Sequence, residues 1–120
     1  MPINSTEVSY GFGQMGSVYT TAGQDAITPP TNKVFVAITM LADTVFDTDN
    51  GLIASNDTTS GLEYIGNAEA AHNAGTATTS TGTAGLKVNS VTFPKGITIY
   101  GRWSEIDVAS GGGIVAYIGD

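Results

Sequence analysis

Apolar side chains in this chain recur at every second position, and no stretch of about 12 residues carries the 3.6-residue period of an amphipathic helix. Such a chain hides its apolar groups by forming strands. Residues 33–41 (KVFVAITML) are the strongest case. They are rich in β-branched and aromatic types and apolar at both parities, as a strand buried on two faces would be. Residues 86–93 (LKVNSVTF) alternate and then change phase, which predicts a strand bulged near Asn89-Ser90. Pro94-Lys95-Gly96 predicts a turn. Residues 97–108 (ITIYGRWSEIDV) predict the next strand, with Ile97, Ile99 and Trp103 on one parity and Ile106 and Val108 on the other. That change of phase predicts a bend around Ser104-Glu105. Ser110–Gly113 is a loop, and 114–118 (IVAYI) a final strand. These last strands read as an antiparallel meander. Earlier in the chain, 16–22, 44–46, 52–54 and 62–65 read as shorter strands, and Thr28-Pro29-Pro30-Thr31-Asn32 as a stiff connection. The expected fold is all-β: a compact antiparallel sandwich or barrel-like domain.

At 120 residues the chain fits a single domain. Residues 16–120 form that domain, preceded by an arm at 1–15. The arm sets Ile3, Val8, Tyr10, Phe12 and Met15 among Gly, Ser and Thr. A solvated tail has no use for so many apolar groups. The arm either adds an edge strand to its own sheet or packs on a partner. Residues 66–85 (GNAEAAHNAGTATTSTGTAG) hold almost nothing a core could use. They read as a long loop, either a flexible insertion or a segment ordered by a neighbouring subunit. The first residues lack the basic and apolar regions of a secretory signal. The longest apolar run, Val34–Ala42, is too short to span a bilayer as a helix, so no membrane partner is expected.

Charge narrows the chemistry. Charged residues are 12% of the chain, 11 acidic against 4 basic. A nucleic-acid binder needs a basic face to displace counterions, and three Lys with one Arg cannot build one. There is no Cys, so disulfides, thiol catalysis and thiolate metal sites are excluded. His72 is the only histidine and lies in the Ala/Gly/Thr loop, where nothing would fix its tautomer. Asp47, Asp49 and Asn50 cluster oxygen ligands before Gly51, a candidate calcium loop. The bidentate Glu of an EF-hand is missing, and Asp and Asn are also ordinary turn formers. The expectation is no catalytic residue, no metal and no cofactor. Lys33, Lys87, Lys95 and Arg102 are each expected to meet an acid, within the sheet or across a subunit contact.

Residues 93–119 join Phe93-Pro94-Lys95-Gly96-Ile97-Thr98-Ile99-Tyr100-Gly101-Arg102-Trp103-Ser104-Glu105-Ile106 to Ile114-Val115-Ala116-Tyr117-Ile118-Gly119. This F-P-x-G-x-x-x-Y-G-R-W-x-x-I…I-V-A-Y-x-G pattern resembles the C-terminal segment of small virion proteins of tailed bacteriophages. Those are capsid decoration (cement) and head-fibre proteins. The resemblance covers about a quarter of the chain. It implies a non-enzymatic β domain on the outer capsid surface, made in the host cytoplasm and bound to the major capsid protein. It also implies a homo-oligomer, a trimer by analogy with three-fold capsid sites. Phe93, Ile97, Ile99, Tyr100, Trp103, Ile106 and Tyr117 are expected as the structural core of the segment. The arm residues Ile3, Val8, Tyr10, Phe12 and Met15 are the expected partner contacts. Alternatives are another virion component, such as a head-fibre base, neck or tail protein, or a carbohydrate-binding β module. In the last, Trp103, Tyr100 and Tyr117 would form a stacking platform.

Overall fold

The structure, a computed structural model, describes residues 15–48, 51–55, 64–66, 86–88 and 90–120. The described part of the chain is all-β, with two antiparallel sheets. Its strands are β1 (Ser17–Thr20), β2 (Val34–Met40), β3 (Thr44–Phe46), β4 (Leu52–Ala54), β5 (Thr92–Phe93), β6 (Thr98–Ile106), β7 (Val108–Ser110) and β8 (Ile114–Gly119). A five-stranded sheet runs β1-β8-β2-β6-β4, and a three-stranded sheet runs β5-β3-β7. Residues 1–14 of the arm and 67–85 of the long loop, His72 included, lie outside the described residues.

β2 holds the centre of the larger sheet, and five of its seven residues are buried. Its inward side chains Phe35, Ile38 and Met40 are fully buried. The step from Phe35 to Ile38 breaks strict alternation. A bulge absorbs it: one extra residue, Val36, stands against the Ile118-Tyr117 step of β8. A row of inward side chains then crosses four strands, Ile118–Phe35–Trp103–Ala54, and all are buried. The smaller sheet adds Phe46, Phe93 and Val108 to the same core. Phe46 and Phe93 meet edge to face at 5.5 Å, a geometry worth about 1 kcal/mol beyond simple burial.

The phase change expected around Ser104-Glu105 is a bulge. Ile53 and Ala54 of β4 stand opposite Glu105 and Trp103, which leaves Ser104 as the extra residue. This lets Trp103 and Ile106, three positions apart, both point inward. Gly101 shares the inward parity with Trp103, and the indole lies across it. A Cβ on Gly101 would come within 2.7 Å of Trp103 Cζ2.

Three expectations need correction. Residues 86–93 are not one strand: only Thr92–Phe93 pairs, and 86–88 are irregular. Ser90 has a positive φ of 65°, and Val91 N–H donates to Val88 C=O, so the phase change is a turn. The final strands do not form a meander. β6 and β8 are separated by β2, which pairs with both. The hand-over is at Asp107, whose N–H donates to Gly51 C=O beside β4 and whose C=O accepts from Asp47 N–H beyond the end of β3. The chain leaves the larger sheet there, β7 joins the smaller one, and β8 returns on the far side of β2. Of 62–65, only 64 and 65 are described, and they form no strand.

Of the residues expected as the core of 93–119, Phe93, Trp103 and Ile106 are buried in the hydrophobic core, and Ile99 is half-buried against it. Ile97, Tyr100 and Tyr117 are not core residues. Ile97 precedes β6, beyond the cover of the second sheet, and is exposed. Tyr100 alternates with Ile99, and Tyr117 with Ala116 and Ile118, so both point to the outer face of the five-stranded sheet.

Candidate functional site

That outer face is the candidate site. Antiparallel pairing sets directly opposed residues on one face. Two outward rows follow from the register: Tyr19–Val115–Thr39–Thr98 and Ser17–Tyr117–Ala37–Tyr100. None of these residues is charged. Tyr19 is 61% and Tyr100 62% exposed, whereas Ala37 is almost fully covered. Ala37 lies between the strands that carry Tyr100 and Tyr117. With strands about 4.8 Å apart, the backbones that carry the two tyrosines stand about 10 Å apart. The hydroxyls of Thr39 and Thr98 are 2.8 Å apart and share a hydrogen bond, which ties β2 to β6 at this surface.

Charge gathers at one end of the sheet. Lys33 Nζ pairs with the carboxylate of Asp120. The guanidinium of Arg102 donates to Asp120 C=O. Lys33 thus meets an acid inside the chain, and Arg102 a main-chain oxygen of the same residue. Trp103 does not share the outer face. It is fully buried, and its Nε1–H donates to Ile65 C=O at 2.8 Å. The platform of Trp103, Tyr100 and Tyr117 therefore does not form. Tyr19 is the aromatic that joins the two tyrosines instead. In the sequence it sits in a weak strand without a neighbouring motif, and only its register on β8 brings it there.

Of the arm residues, Ile3, Val8, Tyr10 and Phe12 lie outside the described residues, and Met15 is exposed. Asp49 and Asn50 of the candidate calcium loop also lie outside them. The backbone of Asp47 serves as a structural clamp. Its N–H donates to Asp107 C=O at 3.0 Å, and its C=O accepts from Gly51 N–H at 3.0 Å. No group of three His, Asp or Glu among the described residues has the arrangement of a metal site.

Asp107 sits at this junction. Burial raises its pKa above the ordinary carboxylate value, and the carboxylates of Asp47 and Asp25 add to the shift. The native state therefore holds this proton to higher pH than the unfolded chain does. Stability falls as pH rises from the unfolded pKa through the native one, and above that the penalty stays in full. Asp107→Asn is expected to stabilise the protein at neutral pH by about 0.5 kcal/mol or less. The gain should vanish below the ordinary carboxylate range. Urea midpoints of both proteins across that range check the sign.

Compared with known proteins, the chain matches no protein-family model, no curated protein and no solved structure. The likeness of residues 93–119 to virion proteins thus rests on the residues of that segment alone.

Proposed function

We propose that this chain is a non-enzymatic virion structural protein: a phage capsid decoration protein that binds the major capsid protein lattice as a homo-oligomer and stabilises it. The observation that carries the reading is the pair of uncharged outward rows that hold Tyr100 and Tyr117, with the charged Arg102, Lys33 and Asp120 set at one end of the sheet. Both tyrosines belong to the segment that resembles virion proteins. The same segment supplies Trp103 to the core. It therefore builds a rigid support and the surface mounted on it.

The surface suits a protein partner. Tyrosine is enriched in the cores of protein interfaces, where charged groups are depleted. Uncharged hydroxyls and methyls cost less to desolvate than Lys or Glu. Many copies on a closed lattice would multiply a modest contact. A net charge of −7 would keep the free subunit soluble before docking.

The test is made on purified particles. The protein is expected at a fixed, high ratio to the major capsid protein, and particles lacking it should rupture at lower temperature. Replacing Tyr100 and Tyr117 together by Lys should abolish loading while leaving the subunit's own unfolding midpoint nearly unchanged. An interface anchor of this kind is worth about 2 kcal/mol. A few copies per particle would move the protein to a neck or tail position. Unchanged rupture temperature without it would overturn the cement role.

A further inference from the structure

Beside the outer face, the edge of β1 and the turn that follows it border an open surface cleft of about 520 Å³. That volume falls within the usual range of small-ligand sites, roughly 300–1,000 Å³. Its lining includes Tyr19, Thr21, Gln24, Asp25 and Ile27. The walls are held from both sides. Ile27 exchanges both backbone hydrogen bonds with Ile106, at 2.8 and 3.0 Å, which pins the turn to the end of β6. Thr21 Oγ1 donates to Gly111 C=O at 3.3 Å, which fixes its hydroxyl oxygen as an acceptor for a ligand. The Tyr19 ring packs over Gly113, where a Cβ would come within 2.8 Å of the ring. An exposed aromatic ring is thus held in place next to a carboxylate, an amide and a hydroxyl.

We propose that this cleft binds an uncharged saccharide, with a pyranose ring stacked on Tyr19 and its hydroxyls held by Asp25, Gln24 and Thr21. The chemistry of the lining selects that class. A sugar ring offers an apolar C–H face to an aromatic plane and a rim of hydroxyl donors and acceptors. A carboxylate accepts from two neighbouring hydroxyls, and an amide both donates and accepts. No Lys or Arg lines the cleft, so a phosphate or a uronate finds no counter-charge. Asp25 itself and the nearby Asp107 and Asp47 repel anions further. Tyr19 also stands on the first outward row, so Asp25 and Gln24, which lie off both rows, are the residues that separate this site from capsid docking.

The test is a titration of the full chain followed by backbone amide NMR. Maltotriose, cellotriose and triacetylchitotriose are the neutral probes, glucuronate the anionic one and spermidine the cationic one. At least one neutral probe is expected to give saturable millimolar shifts confined to residues 19–27 and their neighbours, and glucuronate none. Asp25→Asn should weaken that binding about tenfold or more with an otherwise unchanged spectrum. Tyr19→Ala should remove it, and Tyr100→Ala should leave it intact. No saturable shift with any neutral probe overturns the proposal. So does equal binding by the Asp25→Asn protein. Salt-sensitive binding of spermidine alone would overturn it in favour of a cation site. Capsid loading that survives Asp25→Asn would leave the docking reading standing whatever the saccharide result.

Discussion

Trp103→Ala is expected to cost about 4 kcal/mol and to leave little or no folded protein at 37 °C. Trp103 is the largest fully buried side chain. It stands opposite Phe35 on β2 and Ala54 on β4, so its loss opens a cavity between three strands. It also strands a polar group, because Ile65 C=O loses the indole N–H. Trp103→Phe keeps most of the apolar contact and loses that hydrogen bond, so a smaller loss of about 2 kcal/mol is expected. Gly101→Ala attacks the same packing from the other side by pressing a methyl into the indole. Its cost of about 1–3 kcal/mol should come with a shift in tryptophan emission. Urea denaturation followed by that emission measures both wild type and the glycine variant, since Trp103 is the only tryptophan. Circular dichroism serves for the two Trp103 variants. A native-like midpoint for Trp103→Ala would refute this account of the core.

Gly51→Ala is the second large effect, with an expected loss of about 3 kcal/mol. A Cβ at Gly51 would lie 2.1 Å from Asp47 C=O oxygen and 2.2 Å from Asp47 N. Both are backbone atoms: Asp47 N–H is held by Asp107 C=O and Asp47 C=O by the N–H of Gly51 itself, so neither can retreat without breaking the junction. Gly51 N–H and C=O join Asp47 to Asp107, which is where β3, β4 and the β6–β7 break come together. A distortion there loosens both sheets at once. Gly96→Ala is the control. Nothing lies within 4 Å of its would-be Cβ, and only its φ of 90° resists a side chain. It should cost about 1 kcal/mol, and thermal midpoints should rank the two variants clearly.

The two variants also separate what was legible in the chain from what was not. Gly51 and Gly96 both sit in turn-forming runs, Asp-Asn-Gly and Pro-Lys-Gly, and look alike as a string. One is demanded by space and the other by backbone angle, and spacing in sequence records neither. Trp103 was legible as a core residue from its parity with Ile99. Tyr100 and Tyr117 were not legible as surface. Aromatic residues in a strong strand read as core, and their outward direction follows from the bulges at Val36 and Ser104 that fix which parity faces in. The candidate face was harder still. Ser17, Ala37, Tyr100 and Tyr117 come from four separate strands, and no local pattern links them.

The sequence by itself determined the fold class, the burial of β2 on two faces, the turn at 94–96 and the absence of thiol chemistry. These depend on side-chain period and on residue inventory, which are local or global sums. The tertiary structure alone decided that β8 lies beside β2 and away from β6, that Trp103 is inside while Tyr19, Tyr100 and Tyr117 are outside, and that a cleft opens beside Tyr19. Those depend on strand partners distant in sequence. At Asp107 the chain passes from one sheet to the other, with its N–H bonded to Gly51 C=O and its C=O to Asp47 N–H.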